Sequence, residues 1–335
     1  MSDGTSFAFG LHTFGELSRA EVGLLSAADS VRNVVSEGVA AENAGLDFFG
    51  VGEHHRPDFA VSQPDLVLAA VASRTSSIQL GTAVTVLSVH EPVYVVERFA
   101  TLDALSSGRA EVTVGPGAFP DIFQLLQCPF DERAAEYEKR LSELLRLVHA
   151  DEHKQLVPAV ADRRLPVRVA SSGNEASMSR AARLALPVTL AIREGDPLRF
   201  SSAARRYFRE FREGDGRWPE LTLHATGYVG STLAEAREAS WPYVQDVYAT
   251  LGAERGWGPL SYEQFLSETE ADGSMLIGPA EVVATKIARW MEVLGASRFA
   301  LKYAIGSMPH ALLRANISRF GEEVVPRVSR ALIST

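Results

Sequence analysis

Cysteine, long hydrophobic runs and basic charge are all scarce in this sequence. Cys128 is the only cysteine among 335 residues, which excludes an internal disulfide and any metal site built from several thiolates. No apolar run reaches the roughly 18 residues that a transmembrane helix requires. Residues 1–4 lack the basic segment and apolar core of a signal peptide. These absences predict a cytoplasmic protein with no membrane segment.

The charge balance is acidic, with 33 Lys and Arg against 42 Asp and Glu and a formal net charge of −9. Because binding to a phosphate backbone needs a basic face, this balance argues against a nucleic-acid partner. The composition, 46% hydrophobic and 22% charged, is typical of an ordinary enzyme. A chain of 335 residues could hold two domains, but α/β barrels of this length commonly form one. We therefore predict a single domain over residues 1–335.

Segments with strand character alternate with segments of helical periodicity. The predicted strands cover residues 7–11, 48–51, 78–87, 110–114, 165–170, 188–192, 222–229 and 298–304. The predicted helices cover residues 30–44, 65–73, 92–105, 131–148, 175–184, 198–211, 232–245, 279–294 and 309–319. The polar segment 151–164 is interpreted as an insertion, and residues 248–273 show no clear period.

Eight such alternations predict an α/β fold, a (β/α)8 TIM barrel with insertions. A doubly wound open sheet is the main alternative. The first strand is not followed by a G-x-G-x-x-G phosphate loop, which favours the barrel.

The second predicted strand runs into Glu53, His54, His55 and Arg56. Catalytic residues of a barrel lie at the carboxyl ends of its strands, and histidine is a common acid/base group near neutral pH. A solvated loop with two idle histidines is the alternative. A metal site is disfavoured because adjacent histidines on a strand face opposite ways, and no further ligand motif accompanies them. The sequence also lacks the G-x-S-x-G turn of a serine hydrolase.

Three further strand ends carry small residues. Residues 81–84 would let a planar ligand approach the backbone, and residues 115–117 form a turn that bares backbone N–H groups. Ser171, Ser172, Gly173 and Asn174 precede a predicted helix. Such a loop can bind an anion through free N–H groups and the helix dipole, or it can simply cap the helix. The residues alone leave these two interpretations open.

Several runs together resemble the bacterial luciferase-like flavin-dependent monooxygenase family, most densely between residues 47 and 109. They are residues 52–55, 66–75, 81–87, 99–103, 107–109, 117, 129–130, 170–172, 183–187 and 321–326. The resemblance implies a (β/α)8 barrel that binds reduced FMN at its carboxyl-terminal mouth. It also implies a monooxygenase that uses O2 through a C4a-peroxyflavin on a small organic substrate.

The resemblance also assigns roles to particular residues. His54 would lie near the reactive edge of the flavin as an acid/base group. Ala83 and Val84 would support the flavin ring through a non-proline cis peptide. Ser171, Ser172 and Gly173 would contact the phosphate, and Glu53 and Gly117 complete the predicted cofactor contacts. No metal is expected.

One position departs from the family pattern. The family usually has Gly-Arg-Gly where this chain has Gly115, Pro116 and Gly117, and that arginine helps to bind the flavin phosphate. Losing a charged partner to phosphate would cost about 1.5–3 kcal/mol. Arg168 and Arg193 are candidates to replace it, although plain ion pairing is the alternative for each. The departure keeps two other functions open: a deazaflavin-dependent oxidoreductase, and a non-catalytic homologue that binds flavin or another ligand.

Two partners are expected beside O2 and the small-molecule substrate. Because no dinucleotide-binding motif is present, we expect a separate flavin reductase to deliver the reduced cofactor. The predicted helices 65–73 and 92–105 carry more Ala, Val and Leu than one buried stripe requires. We therefore expect a homodimer formed through these two helices, as the family commonly forms.

Overall fold

Short buried strands form the centre of the molecule. The computed structural model describes residues 7–20, 22–149, 156–158, 165–211, 218–255 and 258–334. All four residues of the strands at 48–51 and 112–115 are buried, as expected where helices cover one face of a parallel sheet and side chains fill the other. In chain order the described strands are β1 Ala8–Thr13, β2 Phe48–Val51, β3 Gln79–Thr82, β4 Thr85–Val86, β5 Val112–Gly115, β6 Val167–Ser171, β7 Val188–Ile192, β8 Leu221–Gly230, β9 Leu276–Pro279 and β10 Arg298–Lys302.

The helices follow the strands along the chain. The described α-helices are α1 Ala27–Asn43, α2 Pro64–Ala72, α3 Pro92–Leu105, α4 Asp121–Leu125, α5 Arg133–His149, α6 Glu175–Arg183, α7 Ser201–Glu210, α8 Leu233–Arg255, α9 Tyr262–Thr269, α10 Ala280–Leu294, α11 His310–Arg319 and α12 Val325–Ile333. None of them, over the described ranges, is long and apolar enough to cross a membrane.

The strands close into a barrel. Neighbours pair in parallel in the order β3, β2, β1, β10, β8, β7, β6, β5 and β4. A parallel bridge between Leu80 and Ala110 joins the two ends of this order. Since β3 and β4 are two parts of one barrel strand, the predicted (β/α)8 barrel is confirmed. β9 pairs with the end of β8, outside the closed ring.

The third predicted strand differs from the prediction because it is broken. The amide of Ala83 donates to Val51 O (2.9 Å) and the amide of Glu53 donates to Val84 O (3.1 Å). Thr85 and Val86 then pair with β5 instead. The regular strand is therefore interrupted at Ala83–Val84, and the prediction of one continuous strand over 78–87 was wrong.

The region 248–273 also differs from the prediction, because it is largely helical. Helix α8 continues to Arg255, and α9 begins at a capping box in which Ser261 and Gln264 bond each other's backbone amides. That Ser-x-x-Gln spacing was the available signal. Strand β9 and helix α12 were not predicted from the sequence. The predicted insertion at 151–164 lies outside the described residues except for 156–158.

A buried ion network fills the amino-terminal end of the barrel. Glu111 accepts hydrogen bonds from Arg298 (3.0 Å to each oxygen) and from Arg168 (3.1 Å). Burial by itself would raise the pKa of Glu111, but the two guanidinium charges outweigh it and hold that pKa well below its usual range. With this end closed by charge pairing, the space for a ligand lies at the carboxyl ends of the strands.

Candidate active site

A cavity of about 950 Å3 opens at the carboxyl-terminal mouth of the barrel. The predicted site residues that line it are Glu53, His54, Ala83, Val84, Gly117, Ser171 and Ser172. Gly173 is not part of the lining: its φ is +84°, and a Cβ there would lie 2.3 Å from the Phe200 ring. Residues from four separate strand ends are therefore brought to one cavity.

His54 is held in an aromatic cage. Its ring centroid lies 4.2 Å from that of Phe59, 4.8 Å from Phe14 and 5.7 Å from Phe119. Its Nδ1 atom is buried and has no hydrogen-bond partner among the residues described. Burial lowers the pKa of His54 to about 3, and the positive charge of Lys302 acts in the same direction. At neutral pH the cavity therefore contains a neutral imidazole with one nitrogen available.

Glu53 is a structural anchor for the loop that carries His54. One carboxylate oxygen accepts hydrogen bonds from Nε2 of His55 and Nε2 of His90, each at 2.9 Å. The other oxygen accepts the Val86 amide at 2.9 Å. Burial would raise the pKa of Glu53, but these hydrogen bonds outweigh it and lower that pKa to about 2. Glu53 thus stays ionised and ties the loop after β2 to β4; His90 was missed in the sequence analysis.

The break between β3 and β4 forms part of the cavity wall. The Ala83–Val84 peptide is cis, as the family resemblance implied. The neighbouring glycines leave no spare room: a Cβ on Gly52 would lie 3.0 Å from Ala83 O, and one on Gly115 would lie 3.1 Å from Val84 Cγ2. Glycine at positions 52 and 115 therefore lets the backbone pack closely against this peptide.

The loop after β6 caps helix α6. Asn174 Oδ1 accepts the Ser177 amide at 2.8 Å, and Ser171 Oγ accepts the Gly173 amide at 3.0 Å. The capping interpretation of this loop is therefore confirmed. The anion-binding interpretation stays a prediction, supported by Ser172, which is exposed and lines the cavity.

The candidate cations are placed differently. Arg168 is 5% exposed, pairs with Glu111 and Glu220 at the opposite end of the barrel, and does not replace the missing arginine. It occupies the amino-terminal half of β6, whereas the cavity is lined by the carboxyl-terminal residues of that strand, Ala170 and Ser171. Arg193 does line the cavity.

Arg180 also lines the cavity and was missed. It sits on the same face of α6 as Asn174 and Ser177, at intervals of three residues, and this spacing was the available signal. It pairs with Glu138 and lies 5.8 Å from the centre of the Tyr137 ring.

Two histidines that the sequence analysis did not single out lie at the cavity floor. His12 is on β1 and His224 is on β8, and their Nδ1 atoms are 2.8 Å apart. Burial lowers the pKa of His12 to about 3 and that of His224 well below its usual value. Both rings are therefore neutral. In the described part of the chain, no three His, Cys, Asp or Glu side chains are grouped so that they could hold a metal ion.

The sequence matches known proteins over part of their length. The N-acetyl-S-alkylcysteine monooxygenase of Bacillus subtilis is 33% identical over 129 residues, which cover 38% of this chain and 39% of that protein. The chain spans less than half of the length of the curated relatives that it matches.

Solved structures share the fold at low sequence identity. The monooxygenase RslO1 of Streptomyces bottropensis has a TM-score of 0.80 and 20% identity, covering 95% of this chain and 99% of that one. The oxygenating constituent of 3,6-diketocamphane monooxygenase from Pseudomonas putida, in complex with FMN, has a TM-score of 0.72 and 17% identity, covering 96% of this chain and 99% of that one. An F420-dependent secondary alcohol dehydrogenase has a TM-score of 0.72 and 18% identity, again covering 96% of this chain and 99% of that one.

The family model extends over most of the chain. The model described as luciferase-like monooxygenase matches residues 12–298, a range that includes every predicted site residue. The resemblance stated from the motifs is thus confirmed: the chain belongs to the luciferase-like monooxygenase family.

Proposed function

We propose that this protein is a monooxygenase that binds reduced FMN, receives it from a separate reductase, and uses O2 to oxidise a small organic substrate. The observation that carries the proposal is His54. The neutral His54 ring lines the cavity from an apolar cage at the end of a barrel strand, and its buried Nδ1 has no hydrogen-bond partner among the described residues.

The cavity fits a flavin in size and in the chemistry of its lining. Ser172, Arg180 and the first backbone amides of α6 would hold the phosphate. The wall at Ala83–Val84 would support the ring system. A cavity of 950 Å3 falls at the upper end of the range for ligand pockets, which leaves room for a second small molecule.

Reduced flavin, when bound, supplies the electrons that activate O2. The chain's own residues provide acid/base chemistry and a dry environment. His54 can accept a proton at one ring nitrogen or release one from the other, since the neutral ring has one acceptor and one donor nitrogen. Phe14, Phe59 and Phe119 give the His54 ring an apolar surrounding, and Glu53 keeps the loop in place through His55 and His90.

Anaerobic titration of the purified protein with photoreduced FMN tests this function. We expect saturable binding, followed on admission of O2 by oxygen consumption that depends on an added organic substrate. Binding of reduced F420 with no binding of reduced FMN would overturn the proposal. Binding of neither cofactor would identify a homologue without flavin chemistry.

A deazaflavin-dependent oxidoreductase is the second candidate. The similarity in fold to an F420-dependent dehydrogenase favours it, and Pro116 removes a charge that the FMN-binding pattern usually has. Such an enzyme would transfer hydride in the absence of O2, so the titration above separates the two candidates.

We also propose a homodimer formed through α2 and α3. Leu66, Tyr94 and Leu105 are large hydrophobic residues on these helices, and they are 68%, 65% and 63% exposed. All three line one surface groove, and exposed apolar surface gathered in this way is typical of a protein interface.

A further inference from the structure

An ion pair lies in the cavity wall beside the proposed catalytic histidine. Glu16 follows β1 and Lys302 ends β10. The Lys302 ammonium donates to Glu16 Oε1 and to the carbonyl oxygen of Ala304. Both side chains line the cavity, and they are only 9% and 12% exposed.

The second oxygen of Glu16 is left without a donor. Glu16 Oε2 is buried and has no hydrogen-bond partner among the described residues. An ionised carboxylate is only an acceptor, and a buried acceptor without a donor is costly, so this atom indicates a missing N–H or O–H group. The Lys302 ammonium has three N–H donors, of which two have the acceptors named above.

The ion pair shares an aromatic neighbour with His54. Lys302 Nζ lies 4.9 Å from the centre of the Phe14 ring. The centres of the His54 and Phe14 rings are 4.8 Å apart. The strands beside this wall, β1 and β10, are adjacent, whereas β8 and β7 separate β10 from the strand that leads to the serine loop. The pair therefore lies near the proposed reacting end and away from the proposed phosphate end.

We propose that Glu16 and Lys302 recognise a neutral carboxamide or hydroxyl group on an apolar substrate. Glu16 Oε2 accepts the N–H or O–H of that group, and Lys302 donates to its oxygen. A carboxylate has no proton for Glu16 and is repelled by it. An ammonium group is repelled by Lys302. This inference rests on the proposed function only in taking the bound molecule to be the substrate.

Equilibrium binding to the full chain, without flavin or turnover, tests the inference. The probes are benzamide, N,N-dimethylbenzamide, which keeps the oxygen but has no N–H, and benzoate, with binding followed by ligand-observed NMR. The wild-type protein should bind benzamide about tenfold more tightly than either of the others, since each loses a hydrogen bond to a charged group. Benzyl alcohol against benzyl methyl ether repeats the comparison for a hydroxyl group.

Glu16→Gln provides the decisive variant. It should weaken benzamide binding about tenfold and strengthen benzoate binding, which reverses the order of the probes. Asp246→Asn is the matched control, because it removes the same charge from an exposed ion pair with Arg19 on the same cavity and should keep the wild-type order. General damage to the site would weaken all probes alike.

Three results would overturn the inference. They are the absence of benzamide binding at millimolar concentration, equal binding of the three probes to the wild-type protein, and an equal change for all probes in Glu16→Gln. Because no cofactor is used, these results are independent of whether the protein binds reduced FMN.

Discussion

The Nδ1 atoms of His12 and His224 lie 2.8 Å apart although 212 residues separate them in sequence. Both rings have lowered pKa values, so the pair shares one proton, with one ring as donor and the other as acceptor. Together with His54, these rings give the cavity three imidazoles that are neutral at physiological pH.

Stability should fall in mild acid because of these three histidines. Their folded-state pKa values lie below the ordinary value of 6.5, so below that pH the unfolded chain binds more protons than the folded chain. Their contribution is complete above that pH and is lost as the pH falls toward the folded-state values. The slope is about 1.4 kcal/mol per pH unit for each proton. Urea unfolding measures the free energy of unfolding as a function of pH. Between about pH 5 and 7 this free energy should change less steeply with pH in His54→Phe, by the equivalent of about one bound proton. Equal slopes would contradict this assignment.

Replacing His54 should remove turnover while the fold remains. General acid/base groups contribute about 10²–10⁴-fold to rates, so reductase-coupled oxygenation should slow by that range in His54→Ala. His54→Gln is the matched variant, because it keeps a hydrogen-bonding side chain but cannot exchange a proton, and it should be equally slow. Circular dichroism checks the fold. Oxygenation at the wild-type rate in either variant would exclude His54 as the acid/base group.

Replacing Pro116 by Arg should tighten binding of reduced FMN. A guanidinium grips phosphate through paired, charge-assisted hydrogen bonds, and the gain should be largest at low ionic strength. The Pro116 carbonyl accepts a hydrogen bond from Ser88 Oγ at 3.0 Å, which the substitution can keep because it uses the backbone. Loss of the proline should lower the free energy of unfolding by up to ~1 kcal/mol.

Titration at two salt concentrations measures the effect of Pro116→Arg on affinity, and thermal unfolding measures stability separately. Unchanged affinity with an intact fold would mean that another cation, such as Arg180 or Arg193, already holds the phosphate, or that no phosphate binds there.

Disruption of the α2 and α3 surface should produce monomers. The wild-type protein is expected to sediment at twice the chain mass of 36.3 kDa at micromolar concentration. Leu66→Glu should dissociate it, because an unpaired charge is costly in an apolar interface. Leu125→Glu is the matched control, since Leu125 is 69% exposed on α4 and Leu66 is 68% exposed on α2. A single species of 36.3 kDa in the wild-type protein would defeat the dimer proposal.

Local sequence patterns predicted the elements that depend on short-range preferences. Strand β2 and helix α3 have the bounds that were predicted from hydrophobic runs and from the positions of Pro and Gly. The eightfold alternation was sufficient for the barrel, because parallel strands joined by helices have few ways to cover both faces. The position of His54 at the cavity also followed, since a barrel keeps its chemistry at the carboxyl ends of its strands.

Tertiary structure alone decided which distant side chains meet. Arg168 was expected near the cofactor, but register places it beside Glu111 at the other end of the barrel. His12 pairs with His224, and Glu16 pairs with Lys302 across 286 residues, because strand β10 lies between β1 and β8 in the closed sheet. Periodicity reveals which face of an element is buried, but it carries no information about barrel register. Contacts between strands far apart in sequence, and the pKa values and unpartnered atoms that follow from them, therefore appear only once the barrel closes.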